Sequence, residues 1–545
     1  LRLPRIHAGR RRALLWRLVA NGLAQGALAI GLAQLLGSAL DRSGSGSLWP
    51  EAWLHHAVWL DVAGLVGAGL LNLGLRAVEA ADAERLGQDY VMRVRLRIFE
   101  AATRGSAAAA RRGRWGVTMT RLISDLNSLR NWVSAGIARS VVAAIVVAGV
   151  CVGLVHTHPA ALAAAGTMVG LSVGAVLALS PRLRLQIREA RRRRGRLANN
   201  LGEKLLAGGA VRQFDRDRPE VRRIRTHSVW LRDALVRRMR LAQILRSAPA
   251  AALPVALGVL VVLGGRFDLS TADLAVGVLL LGILGSALSD LARAVDHRLA
   301  FEEGRRRIDD ILGTPRIREA RDAVDLEGGG PVSVHVGRVS VRGRLRAGPF
   351  EARPGQTVRV SGPPGSGKST LLALVARWLD PRRGGIEIDG VALRRLSLAS
   401  LGRTVQLVTP DVPLLRGRII DNLTYGGDAI DDEWLAKVAA ICGLRESDPL
   451  LPDGLETRTE EQGRNLPEGL RARVALARAA AVSPRLLLID HPTLLVDPEA
   501  RSAMLAVVGL LGCTAFIAAP EGPPLFPADR EWSLAPPSHS SSSSG

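Results

Sequence analysis

The sequence predicts a membrane-embedded, all-α six-helix domain followed by an α/β nucleotide-binding domain of the P-loop type. Three observations carry that expectation. Six apolar stretches lie before residue 300, most of them near the ~20 residues a helix needs to cross about 30 Å of hydrocarbon. Arginine is concentrated on one side of the connectors between them. Further on, Gly362-Pro363-Pro364-Gly365-Ser366-Gly367-Lys368-Ser369-Thr370 stands between a short apolar strand and an apolar helix.

Arg10, Arg11 and Arg12 precede the first apolar stretch, about 13–40, and a Ser/Gly-rich connector (41–50) leads to the second, about 57–75. A long charged helical segment runs over 76–112. Apolar character returns at 137–155, and His156-Thr157-His158-Pro159 turns tightly into the fourth stretch, about 160–179. A second charged segment fills 182–246, including Arg191 to Arg194. The fifth and sixth stretches are about 250–264, the shortest, and 274–291. The connectors 41–56, 156–159 and 265–273 carry only Arg42 and Arg266 as Lys or Arg, whereas the N-terminus, 76–136 and 180–248 are full of arginine. The positive-inside rule then places the N-terminus, both long segments and everything after the sixth span in the cytoplasm of a multi-pass plasma-membrane protein. No cleavable signal peptide is expected, because the first apolar run is long enough to span. Asp61, Asn21, Gln25 and Gln34 are polar groups inside these stretches, and such groups either serve function or pack between helices.

Composition agrees with this division. The chain is 48% hydrophobic and carries a formal charge of +23, a pairing expected of a membrane protein with basic cytoplasmic faces. Aromatics make up only 3%, which argues against a nucleic-acid binder, whose basic surface is interleaved with stacking rings. Cys151, Cys442 and Cys513 have neither metal-ligand spacing nor an obvious pair, and are read as structural.

The domain expected over 1–315 gives way to a linker at 316–331, ending in Gly328-Gly329-Gly330-Pro331. From 332 to 537 short β-branched runs alternate with helical patterns, and a serine-rich tail at 538–545 is expected to be disordered. In the P-loop, glycines let backbone N–H groups approach phosphate, and the helix N-terminus adds its positive end. Lys368 would reach the β- and γ-phosphates of ATP and the Ser369 hydroxyl would sit on Mg²⁺. Lys368 is one of only three lysines in a chain that otherwise uses arginine, with Lys204 and Lys437. Pro364 is unusual because it removes a backbone donor from the loop.

Six spans with two long cytoplasmic extensions, followed by a P-loop domain, resemble an ABC transporter, specifically an exporter-type half-transporter, over nearly the whole chain. Gly116 to Asp125 and Leu201-Gly202-Glu203-Lys204-Leu205-Leu206-Ala207-Gly208 are similar to the family's segments beside its coupling turns. Leu486-Leu487-Leu488-Ile489-Asp490 is similar to Walker B, and Asp497 to the D-loop aspartate. Glu461-Gln462-Gly463 precedes the signature region as in that family. The resemblance implies that Gly362, Gly365, Ser366, Gly367, Lys368, Ser369, Thr370 and Asp490 bind ATP, with Ser369 and Asp490 on Mg²⁺. It also implies a second half-transporter as partner, because each of the family's two sites joins one chain's P-loop to the other's signature.

The departures from that pattern are concentrated in the hydrolytic parts. His491 stands where the family has the glutamate that polarises the attacking water. Leu466-Pro467-Glu468-Gly469-Leu470 stands where it has Leu-Ser-Gly-Gly-Gln, which removes a hydroxyl and a glycine and adds a negative charge near a γ-phosphate. The Q-loop glutamine position holds Pro410, the switch histidine position Pro520, and the adenine-stacking aromatic falls near Gly343. ATP binding is therefore expected with weak hydrolysis. The expectation that follows is the degenerate half of a heterodimeric exporter. A self-sufficient homodimer using His491 as base and a non-transporting ATP-sensing membrane protein are the alternatives. The cargo is not specified.

Overall fold

The computed structural model describes residues 4, 9–44, 51–103, 125–157, 159–267, 269–313, 317–341, 345–427, 430–445 and 448–535. These fall into two compact units, one of residues up to 313 and one from 317 onward. Of the expected segment Gly116 to Asp125, only Asp125 is among the described residues. Gly343 and the serine-rich tail lie outside them.

Among the described residues, the first unit is built from six long helices: α1 (Arg10–Gly44), α2 (Glu51–Thr103), α3 (Arg139–Thr157, entered through a π-helical turn at Trp132–Ala138), α4 (Pro159–Leu206), α5 (Asp217–Arg266) and α6 (Thr271–Leu312). Each contains one of the six apolar stretches, and each lies in a helical segment long and apolar enough to cross a membrane. The charged segments continue the spans as helix, so α4 and α5 run far beyond a bilayer's thickness. The fifth stretch is short only as a run of apolar letters. Helix α5 continues through Pro249 and Pro254, and buries Ala242 and Leu245 before that stretch begins. Helix α1 extends to Gly44, past the expected start of the polar connector. Helices α3 and α4 are separated by a single residue, with Pro159 at the first helical position, where its missing N–H costs no intrahelical bond. The segment Leu201 to Gly208 ends α4, and Lys204 reaches across to Glu220 in the first turn of α5 at 3.0 Å.

The core of this unit is small and aliphatic, including Leu86, Val133, Val150, Ala164 and Leu284. Large apolar side chains elsewhere face outward, among them Trp59, Leu60, Leu70 and Leu73 on α2, as suits a surface solvated by lipid. Asn21 and Gln25, polar groups inside the first span, are paired. Asn21 Nδ2 donates to the Leu75 carbonyl at 2.9 Å, and Gln25 Nε2 donates to Asn21 Oδ1 at 2.7 Å and to Glu79 Oε2 at 2.9 Å. Asp61 is buried, whereas Gln34 is exposed. Along the extensions, Arg184 and Arg188 of α4 pair with Glu302 and Glu303 of α6 at 2.9 and 2.6 Å, and Arg246 of α5 pairs with the buried Asp296.

The second unit centres on a five-stranded parallel sheet of β1 (Thr357–Ser361), β2 (Val405–Val408), β3 (Leu486–Ile489), β4 (Thr514–Ala518) and β5 (Arg530–Ser533), in the order β5-β1-β4-β3-β2. Side chains alternate across a strand, so β3 sends Leu486 and Leu488 to one core and Leu487 and Ile489 to another. One core takes in the helix α7 (Lys368–Val375). The other takes in α8 (Glu468–Ala481) and α9 (Pro498–Leu511). Cys442 and Cys513 are free thiols buried in the second of these cores. A smaller antiparallel sheet joins Phe350–Ala352, Val334–Val336, Ile386–Ile388 and Val391–Ala392. Residues of the expected linker are tied to this unit: Val324 N–H donates to the Arg395 carbonyl at 2.8 Å and Leu326 N–H to Ser400 Oγ at 2.9 Å.

Candidate nucleotide site

The P-loop leaves the C-terminal end of β1, the second strand of the parallel sheet, and re-enters helix at Lys368, earlier than the apolar pattern from Leu371 suggests. Its shape depends on glycine. Gly362 has φ +146°, and a Cβ there would lie 2.6 Å from the Leu534 carbonyl oxygen and 2.7 Å from Ser366 Oγ. Gly365 and Gly367 also have positive φ, +84° and +101°. Pro364 is accommodated because the loop closes around it, with Ser366 N–H donating to the Pro363 carbonyl at 3.1 Å. Ser366 is fully buried and, among the described residues, its Oγ has no hydrogen-bond partner. Ser369 and Thr370 sit half-buried at the start of α7.

Lys368 folds back over the loop, its Nζ donating to the Gly362 carbonyl at 2.5 Å and the Pro363 carbonyl at 3.1 Å. Burial pushes its ammonium pKa below the ordinary lysine value, opposed by the charges of Asp490 and Glu521. Asp490 follows β3 directly and is anchored by its N–H to the Val408 carbonyl at 2.8 Å. Lysine and aspartate, far apart in the chain, thus share one electrostatic neighbourhood. The left-handed glycines, the α7 N-terminus and an ammonium held by loop carbonyls fit a nucleotide phosphate. Ser369 and Asp490 supply the hard oxygen donors that Mg²⁺ prefers, and the ion when bound would neutralise phosphate charge.

The residues at the altered positions are arranged differently. His491 is buried, and among the described residues its Nδ1 has no partner. Burial lowers its pKa below the ordinary imidazole value, more than Glu468 raises it, with Arg471 adding to the lowering, so the ring is neutral at pH 7. Glu468 is the first residue of α8, where a carboxylate complements the helix's positive end, and it accepts from Thr493 Oγ1 at 2.8 Å. Pro467 caps that helix without a side-chain hydrogen bond, and Leu466 and Leu470 are buried beneath it. Gly469 is tightly placed, since a Cβ would lie 2.8 Å from Asp497 Oδ2. Asp497 itself caps α9, accepting from Ala500 N–H at 2.8 Å. Pro410 lies in an exposed turn after β2, and Pro520 is exposed after β4.

Motif order does not point to Arg359, yet this residue is built into the site. It is buried in β1 at 5% exposure, and its Nη2 donates to the carbonyls of Pro520 at 3.0 Å and Gly522 at 2.7 Å. An arginine within an apolar strand, Thr-Val-Arg-Val-Ser, is the available signal, because a buried guanidinium must find acceptors. It ties down the loop after β4 that contains Pro520.

Residues 17–288 match the family model described as the ABC transporter transmembrane region, and residues 345–494 match the model described as ABC transporter. An uncharacterized ABC transporter ATP-binding protein, YknV of Bacillus subtilis, is 25% identical over 79% of this chain and 73% of its own length. A multidrug efflux ATP-binding/permease protein of Mycobacterium bovis is 39% identical over 34% of this chain, but that match spans only 15% of its length. An ATP-dependent lipid A-core flippase of Burkholderia pseudomallei is 36% identical over 30% of this chain and 27% of its own. A solved bacterial Atm1-family ABC exporter with ATP bound superposes with a TM-score of 0.82, covering 96% of this chain and 93% of that one at 22% identity, a likeness of fold.

Proposed function

The chain belongs to the ABC transporter family, and from that premise we propose that it is the degenerate half of a heterodimeric exporter in the plasma membrane, its nucleotide-binding domain cytoplasmic. In this reading it binds ATP with Mg²⁺ and shapes the translocation path, while the partner supplies most of the hydrolytic chemistry. The observation that supports it is the contrast between the two halves of the nucleotide machinery. Gly362, Gly365, Ser366, Gly367 and Lys368 form a loop suited to phosphate with Asp490 in the same electrostatic neighbourhood, whereas a buried His491 and an exposed Glu468 stand where this reading puts the hydrolytic groups.

Charge favours the heterodimeric pairing. A γ-phosphate approaching the N-terminus of α8 from a partner chain would meet the carboxylate of Glu468, which already complements the helix's positive end. His491 offers a neutral imidazole, a weaker aid to water attack than a carboxylate aimed at the nucleophile. In a homodimer both sites would carry both defects. In a heterodimer each site would carry one, and the partner could complement it.

Co-expression with each candidate half-transporter tests the pairing. A stable 1:1 complex whose transport into vesicles requires both chains is the expected result. Recovery of homodimers alone, with every candidate partner present, would contradict it.

A further inference from the structure

We propose that a cavity in the first unit binds the acidic head of an amphipathic solute, and so forms this chain's part of a cargo site for organic anions carrying a carboxylate or phosphate. The cavity measures about 190 Å³ and takes polar groups from four helices: Gln25 of α1, Arg76 and Glu79 of α2, Arg139 of α3, and Asp290 and Arg293 of α6. Three guanidinium groups face two carboxylates.

Both carboxylates are engaged. Glu79 Oε2 accepts from Gln25 Nε2 at 2.9 Å, and Asp290 Oδ1 accepts from Arg293 Nη2 at 2.5 Å. Among the described residues neither the Arg76 nor the Arg139 guanidinium has an ion-pair or hydrogen-bond partner, and Arg293 Nε is buried without one. Arg76 is exposed and Arg139 half-buried, so both guanidiniums are open to an anion entering the cavity. A guanidinium's planar fork matches the oxygens of a carboxylate or phosphate.

The rest of the lining is largely apolar and continues along the same helices, with Val142 and Val146 following Arg139 on α3 and Ile283 preceding Asp290 on α6. Arg76 follows the second apolar stretch and Arg139 is the first residue of α3, so the charged groups lie near the arginine-rich ends of the spans and the apolar lining extends into them. This polarity fits a molecule with an anionic head and an apolar body. The cavity is smaller than the roughly 300–1,000 Å³ of drug-sized sites, which suits a head group with its first apolar atoms.

Calling the ligand cargo rests on the exporter reading. Binding itself can be measured without nucleotide or partner, so the two can fail separately. The test uses the full chain in phosphatidylcholine nanodiscs, titrated with dansylaminoundecanoic acid, its methyl ester and the corresponding alkyl phosphate, with protein-free nanodiscs subtracted. The acid and the phosphate are expected to bind at least about tenfold more tightly than the ester. Arg76→Gln with Arg139→Gln should remove that preference while leaving ester affinity unchanged, which also shows that the variant is folded. Arg76→Lys with Arg139→Lys should retain part of it. Competition by phosphatidylglycerol would identify a lipid head group as the source of the anion, and its absence a soluble one; either result supports an anion site. Equal affinity for acid and ester, or an acid preference that survives the double glutamine variant, would overturn the proposal.

Discussion

Lys368→Ala is expected to weaken ATP binding by at least about 100-fold, while His491→Ala changes it by less than about threefold. The lysine is the ammonium at the phosphate loop. Its Nζ is held by the Gly362 and Pro363 carbonyls, contacts that a nucleotide's phosphate oxygens would replace with charge-assisted bonds. His491 is buried, with its pKa pushed below the ordinary imidazole value by that burial, and the proposed reading has it act on water rather than on phosphate. Nucleotide titration of the two variants in nanodiscs checks the ordering. Comparable affinities would refute it.

The second large effect is a gain. Replacing the altered positions together, with His491→Glu, Pro467→Ser, Glu468→Gly and Pro520→His, is expected to raise ATP turnover of the homodimer by at least about 100-fold. A positioned general base alone contributes about 10²–10⁴ in rate, and removing the Glu468 carboxylate takes away a repulsion at the γ-phosphate. Arg359 sets a limit on this gain, because it holds the Pro520 and Gly522 carbonyls and so fixes the loop on which a restored histidine would sit. Turnover that stays at the starting level in a folded variant that still binds ATP would show that the defect lies elsewhere in the chain.

Much of this architecture is legible in the sequence because local and global signals agree. The apolar stretches, the one-sided arginine and the Gly-rich loop each have a strong periodic or positional signature, and all six stretches lie in long helices. Helix ends are less legible. The start of α7 at Lys368 precedes its apolar pattern, since phosphate-loop residues enter a helix through glycine geometry rather than hydrophobic spacing. The length of α5 is hidden for the opposite reason: a helix that leaves the membrane continues with arginine on its surface and few buried positions such as Ala242 and Leu245. Within the site, Lys368 and Asp490 can be paired from motif order alone. The burial of His491, the bond between Thr493 and Glu468, and the anchoring by Arg359 depend on chain segments that meet only in the folded sheet. The polar cavity is foreshadowed by Gln25, but its arginines stand at span ends, where sequence alone reads them as ordinary boundary charges.

ATP turnover by the purified chain alone in lipid nanodiscs, with Lys368→Ala as the control, separates a chain that keeps only the binding half of the nucleotide chemistry from one that keeps both halves. The predicted result is that ATP binds and that turnover does not exceed that of the Lys368→Ala variant. Turnover well above the variant's would contradict it, and would mean that His491 and the Leu466-Pro467-Glu468-Gly469-Leu470 segment support hydrolysis in a homodimer.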